Sequence, residues 1–346
     1  MWTWFRRLIG FAATAPRAPS VSASATQVMP ADSDRAPKTF HPASANSAVD
    51  GPSLQDLWHA RLNEAVVLQR SHPIAARQPD AAALLQLLQD GPDTVIRQLP
   101  AAARDAMALC NDDRLSRAEV AARLSTDPAL VQGLLRTANS TAFASGLGTV
   151  ISIDQAIDRI GQTGARAVIL ASCVDGLLSH PGGEFNTMAS GVWSHMVRTG
   201  PLARAIAPAF AADGDEAFAI AMLHDVGKLV IFDRISVLRA SRRRQIEVDS
   251  GFAHALLQLL HEPLGALAAQ RWEMGDRAAS AIAGHHRLET FGARDSLAEV
   301  MFVAEHADHA ARRNQTLDLD SLWAHGRLTG SPARVSGALQ QSLALV

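Results

Sequence analysis

The sequence predicts an all-α fold, and three observations predict it. Apolar residues recur at helical spacing in almost every segment from Ala101 to Arg312. The strict alternation of a half-buried strand is missing. Helix-start residues and Pro/Gly breaks punctuate the chain at helical lengths. With 346 residues, 48% of them hydrophobic, the chain is large enough to build a sizeable core.

The elements follow in order. Residues 12–52 are rich in Ala, Ser, Pro and Asp without periodicity, which predicts a disordered N-terminal linker. A helical lead-in spans residues 53–96, with helices over Leu54–Leu68 and Asp80–Leu88. Ala101–Cys110 reads as the next helix. Ser116 and Glu119 form a capping-box signature before Leu124. Asp127-Pro128 supplies an N-cap and a first-turn proline for a helix carrying Leu130, Val131, Leu134 and Leu135. Further helices are expected over 152–160, 164–178, 190–206, 215–223, 228–238, 251–260, 263–272, 277–285 and 296–312. The remainder, 313–346, reads as a variable tail.

Composition excludes several classes. The formal net charge of −2 gives no basis for nucleic-acid binding, and the absence of tyrosine weakens it further. The two cysteines, Cys110 and Cys173, make no zinc motif or disulfide framework and fit a reducing cytoplasm. No stretch reaches the ~20 apolar residues of a membrane span. The start, with Trp2, Trp4, Phe5, Leu8, Ile9 and Phe11 beside Arg6 and Arg7, is a candidate for weak membrane-surface contact by residues 1–11. A disordered start or a partner-binding peptide are the alternatives. Arg242-Arg243-Arg244 is a short basic cluster, either a solvated surface or a contact for phosphate or an acidic partner.

The chemistry concentrates at Ala219-Ile-Ala-Met-Leu-His224-Asp225-Val-Gly227-Lys228-Leu-Val-Ile231. An ionisable pair inside an apolar run is costly unless paired, hydrogen-bonded or metal-bound. Ten of the 13 histidines lie at or after His180. His195, His224, Asp225, His261, His285, His286 and Asp308 form an ordered set, each on or at the end of an expected helix. Helices of a bundle can aim such groups at one point. Imidazole with carboxylate suits a divalent metal: Fe, Mn, Ni or Zn. Two other readings stay open: Gly227 as a helix C-cap, and Asp225 as an N-cap for the helix that follows.

That order of His, His-Asp, His, His-His and Asp resembles the HD metal-dependent phosphohydrolase superfamily. The wider segment resembles the HDOD domain, the HD-related output domain of bacterial signalling proteins. Asp127-Pro-Ala-Leu-Val-Gln-Gly-Leu-Leu-Arg-Thr-Ala-Asn139-Ser140 is similar to its N-terminal signature, and Ser152-Ile-Asp-Gln-Ala156-Ile-Asp-Arg-Ile-Gly161 to its next element. Trp193-Ser-His195, Leu223–Leu229, Leu264–Trp272 and Ile282–His286 follow in the same order. The resemblance covers about residues 97–312.

The resemblance implies a two-lobed helical domain with HD-like helices in the C-terminal lobe. It implies a role in bacterial signal transduction through protein contacts, with cyclic-di-GMP or two-component partners. The alternative it implies is a metal-dependent phosphohydrolase. In that case Asp225 would bridge two metals, with His195, His224 and Asp308 on one and His261, His285 and His286 on the other. Lys228 would pair with a phosphate oxygen. The cyclic-di-GMP phosphodiesterase branch carries Gly-Tyr-Pro after its paired histidines. This chain reads His285-His286-Arg287-Leu288 instead, which argues against that substrate. Gly191, four residues before His195, supplies no carboxylate on that turn.

Overall fold

Side chains set the helix ends from the first element onward. Before α1 (Leu54–Ser71), the Ser53 hydroxyl accepts from the Asp56 N–H at 3.1 Å, and the Asp56 carboxylate accepts from the Ser53 N–H at 3.2 Å. Two orphan donors of the first turn are thereby satisfied. Ser116 and Glu119 repeat the arrangement at α4 (Arg117–Leu124). Between them lie a 3₁₀ turn (Ala75–Arg77), α2 (Pro79–Gln89) and the short α3 (Pro92–Val95). The order continues with α5 (Pro128–Ala138), α6 (Ile153–Ile160), α7 (Gln162–Leu177) and α8 (Glu184–Ile206), then a 3₁₀ turn (Ala207–Phe210) and α9 (Gly214–Ala221). It ends with α10 (Val226–Arg242), α11 (Ser250–Arg271), α12 (Asp276–Gly284), α13 (Ser296–Arg312), α14 (Leu319–Gly326) and α15 (Pro332–Leu343).

This computed structural model describes residues 53–99, 101, 104–106, 108, 116–139, 143, 148–177, 184–288 and 295–343. Among them there is no strand, and no helix is long and apolar enough to cross a membrane. The expectations for residues 1–52 and for Cys110 lie outside the described residues.

Two groups of helices share one apolar core. In the first, α5 packs against α6 and α7, and α4 against α6. The second gathers α8, α9, α10, α11, α12 and α13, and α7 joins it to the first through α9. Helix α1 packs on α11, and α2 on α10, so the lead-in is built into the second group. The segment after residue 312 carries α14 and α15, with α15 against α8.

Proline was an unreliable break. The helices expected over 251–260 and 263–272 are one helix, α11, with Pro263 inside it. Pro201 likewise lies within α8. Proline removes a helix hydrogen bond and costs about 3 kcal/mol in an exposed helix. Here the residues flanking Pro263 are fully enclosed, so burial outweighs the local cost.

The basic cluster also has a structural use. Asp80, with a side chain 2% exposed, accepts at Oδ2 from Arg244 at 2.8 Å and from the Glu247 N–H at 2.9 Å. Arg242 stands 3.6 Å from its Oδ1. Burial pushes the Asp80 carboxyl up, but the Glu247 N–H and Arg244 outweigh it and hold it below the usual value. A depressed folded-state pKa contributes stability above the unfolded value of about 3.9 that is lost as pH falls through the folded value. Asp80→Asn is therefore expected to lower stability at neutral pH by about 1.5–3 kcal/mol. It should also flatten the acid limb of the stability curve, measured by urea unfolding. Wild-type acid sensitivity in that variant would refute the anchoring role.

Candidate metal centre

Two glycines set the site by letting helices touch. A Cβ on Gly227 would lie 2.1 Å from the His261 carbonyl oxygen and 2.7 Å from the Gly265 nitrogen. A Cβ on Gly265 would lie 3.3 Å from the Gly227 nitrogen. Gly227 sits inside α10 and is not the C-cap its sequence position suggests. Its role is close approach. The crossing places the His224-Asp225 turn, at the start of α10, beside His261 on α11.

The remaining donors come from three other elements. His195 projects from α8, His285 and His286 from the end of α12, and Glu305, Asp308 and His309 from α13. Ring centroids of His195 and His224 are 5.1 Å apart, of His224 and His285 5.2 Å, of His261 and His286 5.1 Å, and of His285 and His286 4.1 Å. Asp225 Oδ2 lies 3.7 Å from His224 Nε2, and its Oδ1 3.7 Å from His261 Nε2. The structure thus brings His195, His224, Asp225, His261, His285 and His286 together.

The backbone fixes which imidazole nitrogen faces the cluster. Nδ1 of His224 lies 2.7 Å from the Ala221 carbonyl, Nδ1 of His261 2.9 Å from that of Leu257, and Nδ1 of His285 2.6 Å from that of Ile282. A carbonyl only accepts, so each Nδ1 carries the hydrogen and each Nε2 presents a lone pair inward. The Nε2 atoms of His195, His224, His261, His285 and His286 are all buried without a hydrogen-bond partner, as are Asp225 Oδ1 and Glu305 Oε2. Leaving a buried polar atom unmade costs about 1–3 kcal/mol each. So many on facing groups fit a cation as their missing partner.

The electrostatics agree for four of the five rings, and at His195 a cation would have to displace a proton. Burial pulls His224, His285 and His286 below the usual imidazole value, and pulls His261 down to about 3, so these rings are neutral. Burial also pulls on His195, but the carboxylates of Asp308 and Glu305 outweigh it and hold this ring at about 9. For Asp225 burial raises the pKa, yet Lys228, whose Nζ donates at 2.7 Å, keeps the carboxylate well below its ordinary range. Asp225 does stand at the N-cap of α10, but its side chain makes no capping hydrogen bond and turns to Lys228 instead.

Asp308 does not join the donors. Its Oδ2 accepts from His195 Nδ1 at 2.7 Å and from Arg198 at 3.1 Å, and its Oδ1 from Arg198 at 2.6 Å. It orients the imidazole from behind, the arrangement that commonly fixes a metal-ligating histidine. Glu305, one turn earlier on α13, takes the inward place. Its Oε1 is 3.8 Å from His195 Nε2, and its Oε2 3.3 Å from His286 Nδ1. Sequence reasoning missed Glu305, although spacing of three residues puts it on the same helix face as Asp308. It also missed Glu262. Burial pushes that carboxyl up to about 7, and it accepts from the His286 N–H at 3.2 Å while pairing with Arg287 at 2.9 Å.

Three donor groups have ligand atoms mutually within 4.8 Å: His261 with His285 and His286, His195 with His224 and Asp225, and His195 with Glu305 and His309. The family model of the HDOD domain matches residues 96–288. The chain belongs to the HDOD family. Among solved structures, this HDOD chain resembles a Shewanella amazonensis SB2B protein provisionally named a metal-dependent phosphohydrolase. The TM-score is 0.61 at 16% identity, over 77% of this chain and 97% of that one. A second protein from that organism, provisionally named a phosphohydrolase, matches with TM-score 0.54 and 21% identity, over 78% and 97% of the two chains. A Marinobacter aquaeolei VT8 protein provisionally named for signal transduction matches with TM-score 0.52 and 18% identity, over 86% and 65%. At these identities the likeness establishes the fold. A curated Treponema pallidum (strain Nichols) protein of uncharacterised role is 25% identical over 203 residues, 56% of this chain and 38% of that one. The chain therefore spans well under half the length of that relative.

Proposed function

We propose that this HDOD protein is a metal-dependent phosphohydrolase working in bacterial signal transduction. The observation that carries the reading is the set of buried, unpartnered Nε2 atoms of His224, His261, His285 and His286, with the Asp225 carboxylate 3.7 Å from the first two. These residues would hold a divalent cation. A donor set of imidazole and carboxylate without thiolate suits Fe, Mn, Ni or Zn. When bound, the cation supplies positive charge to a phosphoryl oxygen and lowers the pKa of water.

The chain's own residues supply the rest. Lys228 restrains Asp225 and offers an ammonium to a phosphate oxygen. His286 is the most solvent-accessible of this donor set, its side chain 27% exposed, and its neighbour Arg287 is 35% exposed. A phosphate ester would enter past these two cationic or polar groups. The missing Gly-Tyr-Pro sequence favours an ester other than cyclic-di-GMP.

The test is turnover of bis(p-nitrophenyl) phosphate and of a panel of cyclic and linear dinucleotides by the metal-loaded full chain. Metal uptake without any turnover would overturn the enzymatic reading. It would leave a second one, signalling through protein contacts within a cyclic-di-GMP or two-component network, with the metal as a structural element. The complete enclosure of His224, His261 and His285 favours that second reading.

Metal removal gives a separate expectation. A ligand held at 100 times its dissociation constant stabilises the fold by about 2.7 kcal/mol. For a domain of this size, each kcal/mol moves the midpoint by about 2–4 °C. Chelation should therefore lower Tm by about 5–10 °C, and stoichiometric metal should restore it. A melting curve indifferent to chelator would count against a resident metal.

A further inference from the structure

We infer that His309 is a metal ligand, and that His195, Glu305 and His309 form a second, outer cation position beside the inner one. This rests on the metal-binding reading above. His195 has only Nε2 to offer, because Asp308 occupies its Nδ1 at 2.7 Å. That nitrogen is buried without a partner and lies 3.8 Å from Glu305 Oε1, while Glu305 Oε2 is also buried without a hydrogen-bond partner. His309 follows Glu305 by four residues on α13, the spacing that puts two side chains on one helix face. Its ring lies parallel to that of His195, with centroids 5.0 Å apart and planes 23° apart. Ligand atoms of all three fall within 4.8 Å of one another.

The neighbouring helix leaves space on this flank. Gly191 lies one turn before His195 on α8, and a Cβ there would meet nothing within 4 Å. With no side chain from that turn, the third donor arrives from α13. His195 also stands within ligand reach of His224 and Asp225, but its one free nitrogen can serve only one cation; assigned to the outer position, it leaves His224, Asp225, His261, His285 and His286 for the inner one. The earlier division, with His195, His224 and Asp308 on one metal, gives way to this one. His309 is partly exposed, whereas His224, His261 and His285 are enclosed. The outer cation is therefore the exchangeable one. Two imidazoles and a carboxylate leave positions open for water or a phosphate oxygen.

The experiment uses the full chain, stripped by chelation, reloaded with Mn(II) or Co(II), and counted by elemental analysis. Wild type is expected to hold two equivalents and His309→Gln one, with unchanged circular dichroism. A His309→Cys variant loaded with Co(II) should show a thiolate-to-cobalt absorption band in the near ultraviolet that wild type lacks. His309→Gln with wild-type stoichiometry and affinity would overturn the inference, as would absence of the band. A wild type that holds one equivalent, unchanged in His309→Gln, overturns this inference alone. A wild type that takes up no metal overturns the reading beneath it.

Discussion

Asp225→Asn is expected to empty the inner metal position. The substitution keeps shape and removes one negative charge from a side chain 1% exposed. That charge is the partner of Lys228 at 2.7 Å and the carboxylate nearest His224 and His261, at 3.7 Å from each Nε2. Its loss leaves a buried ammonium facing a cluster of imidazoles. Removing one member of a buried pair typically costs about 3–5 kcal/mol, so a lower Tm is also expected. Metal content should fall by one equivalent, the outer position of His195, Glu305 and His309 being the one left, and any phosphodiesterase activity should go with the inner cation. Residual activity in this variant would mark a contaminant. Asp308→Asn is the graded control. It removes a group that orients His195, and such losses weaken metal affinity by about 10–100-fold without deleting a ligand. An Asp225→Asn chain that loads metal like wild type would end the case for this residue as a donor.

Gly227→Ala should be the most damaging small substitution in the chain. The new methyl group would stand 2.1 Å from one backbone atom and 2.7 Å from another. Neither neighbour is a flexible side chain able to turn aside, so α10 and α11 must separate. Overpacking costs about 1–3 kcal/mol where side chains can adjust, and more where backbone must move. A fall in Tm of roughly 6–12 °C or beyond follows for a loss of about 3 kcal/mol. Metal affinity should fall as well, because the same crossing sets His261 beside Asp225. Gly133→Ala is a useful contrast, since its Cβ would meet the Ser172 hydroxyl at 2.4 Å, a group that can rotate. Equal stability of Gly227→Ala and wild type would contradict the close crossing.

The helical class and the donor cluster were legible because both leave local traces. Helical spacing recurs whatever the tertiary contacts, and His224-Asp225 announces itself by the cost of charge in an apolar run. Long-range facts were not legible. Gly227 follows a polar pair after a helix, which locally reads as a cap; only the approach of α11 shows otherwise. Pro263 reads as a break until the burial around it is known. Asp308 and Glu305 share a helix face, so periodicity could not tell which carboxylate reaches the imidazoles and which stands behind one. Arg242 and Arg244 read as surface charge because Asp80 lies more than 160 residues away.

The attachment of α1 to α11 bears on how the chain is made. Trp58, fully buried, belongs to a helix whose docking surface is complete only when synthesis has passed Arg271. At about 5–20 residues per second, the interval between the two is about 10–40 s. Throughout it α1 has only α2 and the Ala75–Arg77 turn to pack against, and closure over so long a loop is entropically slow. The nascent chain thus carries a helix with its α11-facing side uncovered for most of its synthesis, the kind of surface that chaperones engage. Assembly of the donor cluster, which also draws on α13, comes later still.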